Sequence, residues 1–202
     1  MVRGRGMSMR VKVVAGFLGI YLIWGSTFLA VRLAVETIPP FVMMGARCAV
    51  AGALLCLIAG AGGARRPSFA EWRNAAIVGA FFFVGGHGVI AWAQRSVPSS
   101  FAALMLATVP LWIPLINALR GERPPARVVA ALVAGFAGVA LLIGVSQGIA
   151  VDRMGMLPVI ALLVSAVSWA FASVLARSLA LPSSVTLAAG LELLLGGLIC
   201  WS

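Results

Sequence analysis

The sequence predicts an all-α, polytopic membrane protein with about seven transmembrane helices, on three observations. The 202-residue chain is 62% apolar and only 10% charged, where a soluble domain carries about 25% charged residues. Its mean hydropathy is +1.11. Apolar runs of about 18 residues or more recur along it, each long enough to cross the hydrocarbon core as a helix. The alternating pattern of a β-barrel is absent.

Taken in order, the runs predict spans at 13–31, 41–62, 75–93, 101–119, 128–145, 156–176 and 183–201. Short loops with breaker residues separate them: "TIPP" (37–40), "SVPSS" (96–100), "GERPPAR" (121–127) and "LPSS" (181–184). The N-terminal "MVRGRGMSMRVK" looks like the basic region of a signal peptide. No small-x-small cleavage site follows, and Arg32 and Glu36 do. The first span is therefore read as uncleaved.

A net charge of +10 suggests nucleic acid or anionic lipid until the charges are placed. Most lie in the short loops, which is the pattern of membrane topology and not of a nucleic-acid surface. With a cytoplasmic N-terminus, eleven Arg and Lys residues fall on the inner side. Three (Arg32, Arg95 and Arg153) fall on the outer side, with Arg47 inside a span. The expected location is therefore the cell membrane, multi-pass, N-terminus inside. Cys48, Cys56 and Cys200 sit within apolar runs without CxxC spacing, so neither a disulfide nor a metal site is expected. No cofactor is expected. Walker A and HExxH patterns are absent, and "GVSQG" (144–148) lacks the strand-turn-helix setting of a nucleophile elbow. Nothing here points to an enzyme.

An offset of 145 residues aligns Trp24 with Trp169, Arg32 with Arg177, Gly45 with Gly190 and Gly52 with Gly197. "WGSTFLAVR" then faces "WAFASVLAR". Five spans separate the copies, and an odd number inverts the second copy across the membrane. Inverted repeats of this kind mark transporters.

"YLIWGSTFLAVRLAVETIPPFVMMGARCAVAGALL" resembles the opening of an EamA domain in the drug/metabolite transporter superfamily. "VPSSFAALMLATVPLWIPLI" is similar to the segment leading through its fourth helix, and "GERPPARVVAALVAGFAGVALLIG" to its acidic loop and Gly-rich fifth helix. "SAVSWAFASVLARSLALPSS" looks like the first helix of a second copy. The resemblance implies ten helices in two inverted five-helix repeats, both termini cytoplasmic, and a central cavity used to export small metabolites or drugs. On that pattern, residues 1–12 are a basic cytoplasmic terminus and 13–147 the first repeat. Residues 155–202 begin the second repeat, which lacks three helices here, so the chain is expected to be C-terminally incomplete.

Transport needs polar or aromatic groups at mid-depth, shielded from lipid. In the first span these are Trp24, Ser26 and Thr27; the alternative for the hydroxyls is bonding back to carbonyls one turn earlier. The resemblance extends the cavity role to Ser168, Trp169 and Ser173. His87 lies mid-span in "VGGHGV", whose glycines allow a second helix or a ligand to approach; an interhelical hydrogen bond is its other reading. Pro110 and Pro114 loosen the fourth span and free the carbonyls of Leu106 and Pro110. Thr108, Trp112 and Asn117 are candidates to line the cavity beside that kink. Arg47 and Glu192 are the clear intramembrane charges. Either they pair, or each bonds carbonyls at its own helix end. Ala126, Ala130, Ala134 and Gly138 form a small-residue stripe for internal packing or a homodimer. The expected partners are the lipid bilayer, a small-molecule substrate and protons. A non-transporting membrane scaffold, or a fragment needing the missing helices, is the alternative.

Overall fold

The computed structural model describes residues 9–146 and 155–201. The basic residues 1–8, part of "GVSQG", Arg153 and Ser202 lie outside them. The described chain is helical. Helix α1 is Met9–Ala34, α2 Pro40–Ala61 and α3 Phe69–Gly79. A π-helical segment, Ala80–Gly88, joins α3 to α4, Val89–Ala93. Then follow α5 (Ser99–Leu106), α6 (Val109–Leu119), α7 (Ala126–Ser146), α8 (Met156–Ser178) and α9 (Val185–Ile199). Five stretches are long and apolar enough to cross a membrane: Val13–Ala34, Pro40–Ala61, Phe69–Ala93, Ser99–Leu119 and Met156–Ser178. Two shorter apolar helices, Ala126–Leu141 and Val185–Ile199, accompany them. The protein is thus an all-α polytopic membrane protein.

Local chemistry sets the helix ends. Pro40 begins α2, where a missing N–H leaves no bond unmade. Ser68 begins α3 in a capping box: its Oγ accepts from the Glu71 N–H at 3.3 Å, and a Glu71 carboxylate oxygen accepts from the Ser68 N–H at 2.6 Å. Arg65 adds an ion pair to Glu71 at 2.7 Å. Ser184 caps α9 by accepting from the Leu187 N–H. After α6 the chain turns at Gly121, whose φ of 93° favours glycine.

Two predicted spans differ from the structure. The third begins at Phe69, six residues before the expected Ala75, because the capping box lets the helix start within its polar turn. Its middle is π-helical and not α-helical. The fourth is not one kinked helix. It breaks at Ala107–Thr108, and Pro110 then sits in the first turn of α6, where it needs no donor. Only Pro114 remains inside a helix.

The closest packing is α2 against α9, and four glycines make it. A Cβ on Gly45 would lie 2.9 Å from the Gly197 carbonyl oxygen, and one on Gly52 2.7 Å from that of Gly190. The helices run antiparallel through this contact, with backbone meeting backbone. Helix α8 packs against the π segment, α4, α5 and α6. Its Leu162 joins Ile90, Val97, Phe101 and Met105 in one buried cluster. Helix α1 is peripheral and touches α5. Helix α7 docks chiefly on α6, with Gly135 against Leu111 and Phe136 edge-on to Trp112, and its Val139 packs against the buried cluster. The stripe of Ala126, Ala130, Ala134 and Gly138 is exposed, so internal packing within the described residues does not use it.

Candidate functional site

The π segment shapes the site. In a helix with i→i+5 bonding, side chains are turned away from their α-helical directions. Here three successive carbonyls also receive side-chain partners. The Ser168 hydroxyl donates to the Phe81 carbonyl at 2.8 Å, the His87 Nδ1 lies 3.2 Å from the Phe82 carbonyl, and the Cys200 thiol meets the Phe83 carbonyl at 3.5 Å. Glycines make room for these visitors. Gly85 faces the Ser168 hydroxyl so closely that a Cβ would overlap it, and a Cβ on Gly86 would be 3.4 Å from the Trp169 ring. The expected close approach to "VGGHGV" is thus made by α8.

That approach assembles a ring cluster. The His87 and Trp169 centroids are 4.5 Å apart, Phe83 stacks on His87 at 5.3 Å, and Phe82 meets Trp169 edge-on at 5.6 Å. Trp24 from α1 stacks against Trp169 at 6.4 Å. The offset that aligns these two tryptophans in sequence therefore selects two rings that touch in space.

A cavity of about 560 Å³ opens beside the cluster. Its one wall is α1, through Gly16, Gly19, Ile23, Trp24 and Thr27; the other carries Arg47, His87 and Trp169. A second cavity of about 310 Å³ lies between Trp24, Phe28 and Trp169 and the break in the fourth span, at Leu106, Ala107 and Pro110. A recess of about 30 Å³ is bounded by Thr27, Met44, His87 and Gln94, and again by Trp24 and Trp169. All three share the tryptophan pair.

The structure thus brings together Trp24, Thr27, His87 and Trp169. The other candidates lie elsewhere. Ser26 is exposed and donates to the Ile23 carbonyl at 3.1 Å; Thr27 donates to the same carbonyl at 2.7 Å while lining the cavity. Ser168 serves the π segment, and Ser173 bonds back to the Trp169 carbonyl at 2.9 Å. Thr108 is buried and accepts from the Trp112 indole at 3.0 Å, which turns Trp112 toward α7. Asn117, near the end of α6, accepts through its backbone carbonyl from Arg120 and Glu122.

Arg47 and Glu192 are not paired: among the described residues the only ion pair is Arg65–Glu71. Among the described residues neither makes the carbonyl bonds that were the alternative. Arg47 stands on the cavity wall, and the Glu192 backbone packs against Gly79. Arg32 is half-buried and not extended into water. It donates to the carbonyls of Gln94 and Arg95, filling acceptors left open at the end of the third span. Among the described residues no group of three His, Cys, Asp or Glu side chains could hold a metal ion.

Gln94 is the residue that sequence reasoning missed. It is fully buried, and its amide N–H₂ donates to the Phe28 carbonyl at 2.9 Å. Its Oε1 has no hydrogen-bond partner among the described residues. The signal was an amide placed at a span end between Trp92 and Arg95, where it reads as loop.

Residues 11–144 match the model of the EamA-like transporter family. The chain is 32% identical over 181 residues to the uncharacterized inner membrane transporter YedA of Escherichia coli K12, covering 89% of this chain and 58% of that one. It is 24% identical over 169 residues to the uncharacterized transporter YoaV of Bacillus subtilis, covering 83% and 58%. The chain thus spans a little over half the length of these relatives. No solved structure matches it. The family match covers about two thirds of the sequence and joins an architecture of apolar helices: this chain belongs to the EamA-like transporter family, within the drug/metabolite transporters.

Proposed function

We propose that this chain forms the first five-helix repeat and the start of an inverted second repeat of a secondary transporter. That transporter exports small metabolites or drugs by alternating access. The observation that carries this reading is the cavity of about 560 Å³ walled by Trp24, Thr27, Arg47, His87 and Trp169. Polar and ionisable groups are costly inside a bilayer, and their usual place is a solute path. The antiparallel Gly45–Gly197 and Gly52–Gly190 contacts support the inverted repeat, because the offset of 145 exchanges one pair for the other. The charge bias of the loops supports a cytoplasmic N-terminus. Coupling is to a proton, with His87 as the titratable group in the cavity, or to the substrate's own gradient.

The test is a comparison of small molecules inside and outside cells that express the full open reading frame encoding this chain. The parent is expected to raise the external level of at least one metabolite, and Trp169→Ala, at equal membrane abundance, to remove that rise. Identical profiles for the parent and an empty vector would sink the transporter reading.

A further inference from the structure

The orphaned oxygen of Gln94 gives the cavity a chemical preference. A buried acceptor without a partner is unfavourable, so a ligand that donates to it supplies a hydrogen bond that the oxygen otherwise lacks. The amide orientation is fixed, since its N–H₂ is the group that can donate to the Phe28 carbonyl. Gln94 lines the recess of about 30 Å³, which also presents Thr27 and His87. That volume suits one water-sized group and excludes a ring. The body of a ligand must therefore remain among the rings of Trp24, Trp169 and His87, which border both the recess and the large cavity. Aromatic faces favour a flat apolar body. The large cavity adds Arg47, which makes no hydrogen bond or ion pair among the described residues. A guanidinium in this setting favours a carboxylate.

We propose that the cavity binds a flat, apolar-bodied organic carboxylate with a single hydroxyl or N–H donor at its far end. Gln94 Oε1 accepts from the donor, the tryptophan pair holds the body, and Arg47 takes the carboxylate. This rests on the transporter reading and specifies the substrate class of the same site.

The test is equilibrium dialysis against the full-length protein in lipid nanodiscs with three probes. Para-hydroxycinnamate carries all three features. Para-methoxycinnamate lacks the donor, and para-hydroxycinnamamide lacks the charge. The hydroxy acid is expected to bind, and each altered probe to bind at least about tenfold more weakly. Gln94→Met should close the gap between the hydroxy and methoxy acids, and Arg47→Gln the gap between acid and amide. Should either variant misfold, the three probes on the parent protein still decide. Equal affinity for all three, or binding of none, overturns the assignment. Either result leaves the transporter reading to the metabolite comparison, which assumes no ligand.

Discussion

Gly52→Ala probes the α2–α9 contact most sharply. The new Cβ would overlap the backbone nitrogen of Leu194 and lie 2.7 Å from both the Leu194 Cα and the Gly190 carbonyl oxygen. Ordinary contact begins near 3.5 Å, so the helices must separate locally by roughly 1 Å. These are backbone atoms of a helix, and no side-chain rotation relieves the overlap. Overpacking of this kind costs about 1–3 kcal/mol. Gly60 lies on the same helix with nothing among the described residues within 4 Å of its Cβ position. There alanine gains up to about 1 kcal/mol of helix propensity. The two variants should therefore differ by about 1–4 kcal/mol, Gly52→Ala being the less stable. Thermal unfolding in detergent, followed by tryptophan fluorescence, reads this as a Tm several degrees lower for Gly52→Ala than for Gly60→Ala. Equal midpoints would mean that backbone contact at Gly52 does not hold the helices together.

Other perturbations test the site's supports. Ser168→Ala should cost about 1–2 kcal/mol by leaving the Phe81 carbonyl with one partner fewer, with faster amide exchange confined to residues 81–86. Gly85→Ala should destabilise the parent, and Ser168→Ala should rescue part of that loss by removing the overlapping hydroxyl; strict additivity would contradict the packing. Ser68→Ala should lower stability by about 1 kcal/mol through loss of the α3 cap, measured as a Tm decrease. With the native cysteines replaced, Arg66→Cys should react with an impermeant maleimide only from the cytoplasmic side; outside labelling would reverse the topology.

The spans were legible because an apolar run of bilayer length is a strong one-dimensional signal. Trp24 and Trp169 were legible through their rarity and their common offset. The π segment was not: "AFFFVGGHG" reads as one more apolar run, and its carbonyls are met by Ser168 and Cys200, far along the chain. The start of α3 lay in the Ser68-to-Glu71 spacing, seven residues before the hydrophobicity expected at Ala75. Two prolines in one span pointed to distortion. Whether that meant a kink or a break depended on Thr108, which bonds the Met105 carbonyl and ends the first piece. The partners of Arg32 and the burial of Gln94 arise where α1 crosses the end of the third span, a contact that no local pattern encodes.

Alternating access requires that water reach the Trp24–His87–Trp169 cavity from both sides of the membrane. Thr27→Cys, placed on that wall in a protein otherwise free of cysteine, tests it with an impermeant maleimide applied to sealed vesicles of each orientation. Leu29→Cys, on the exposed apolar side of α1, is the lipid-facing control. Thr27→Cys is expected to be labelled from either side and the control from neither; labelling of Thr27→Cys from one side alone, or from neither, would rule out such a path.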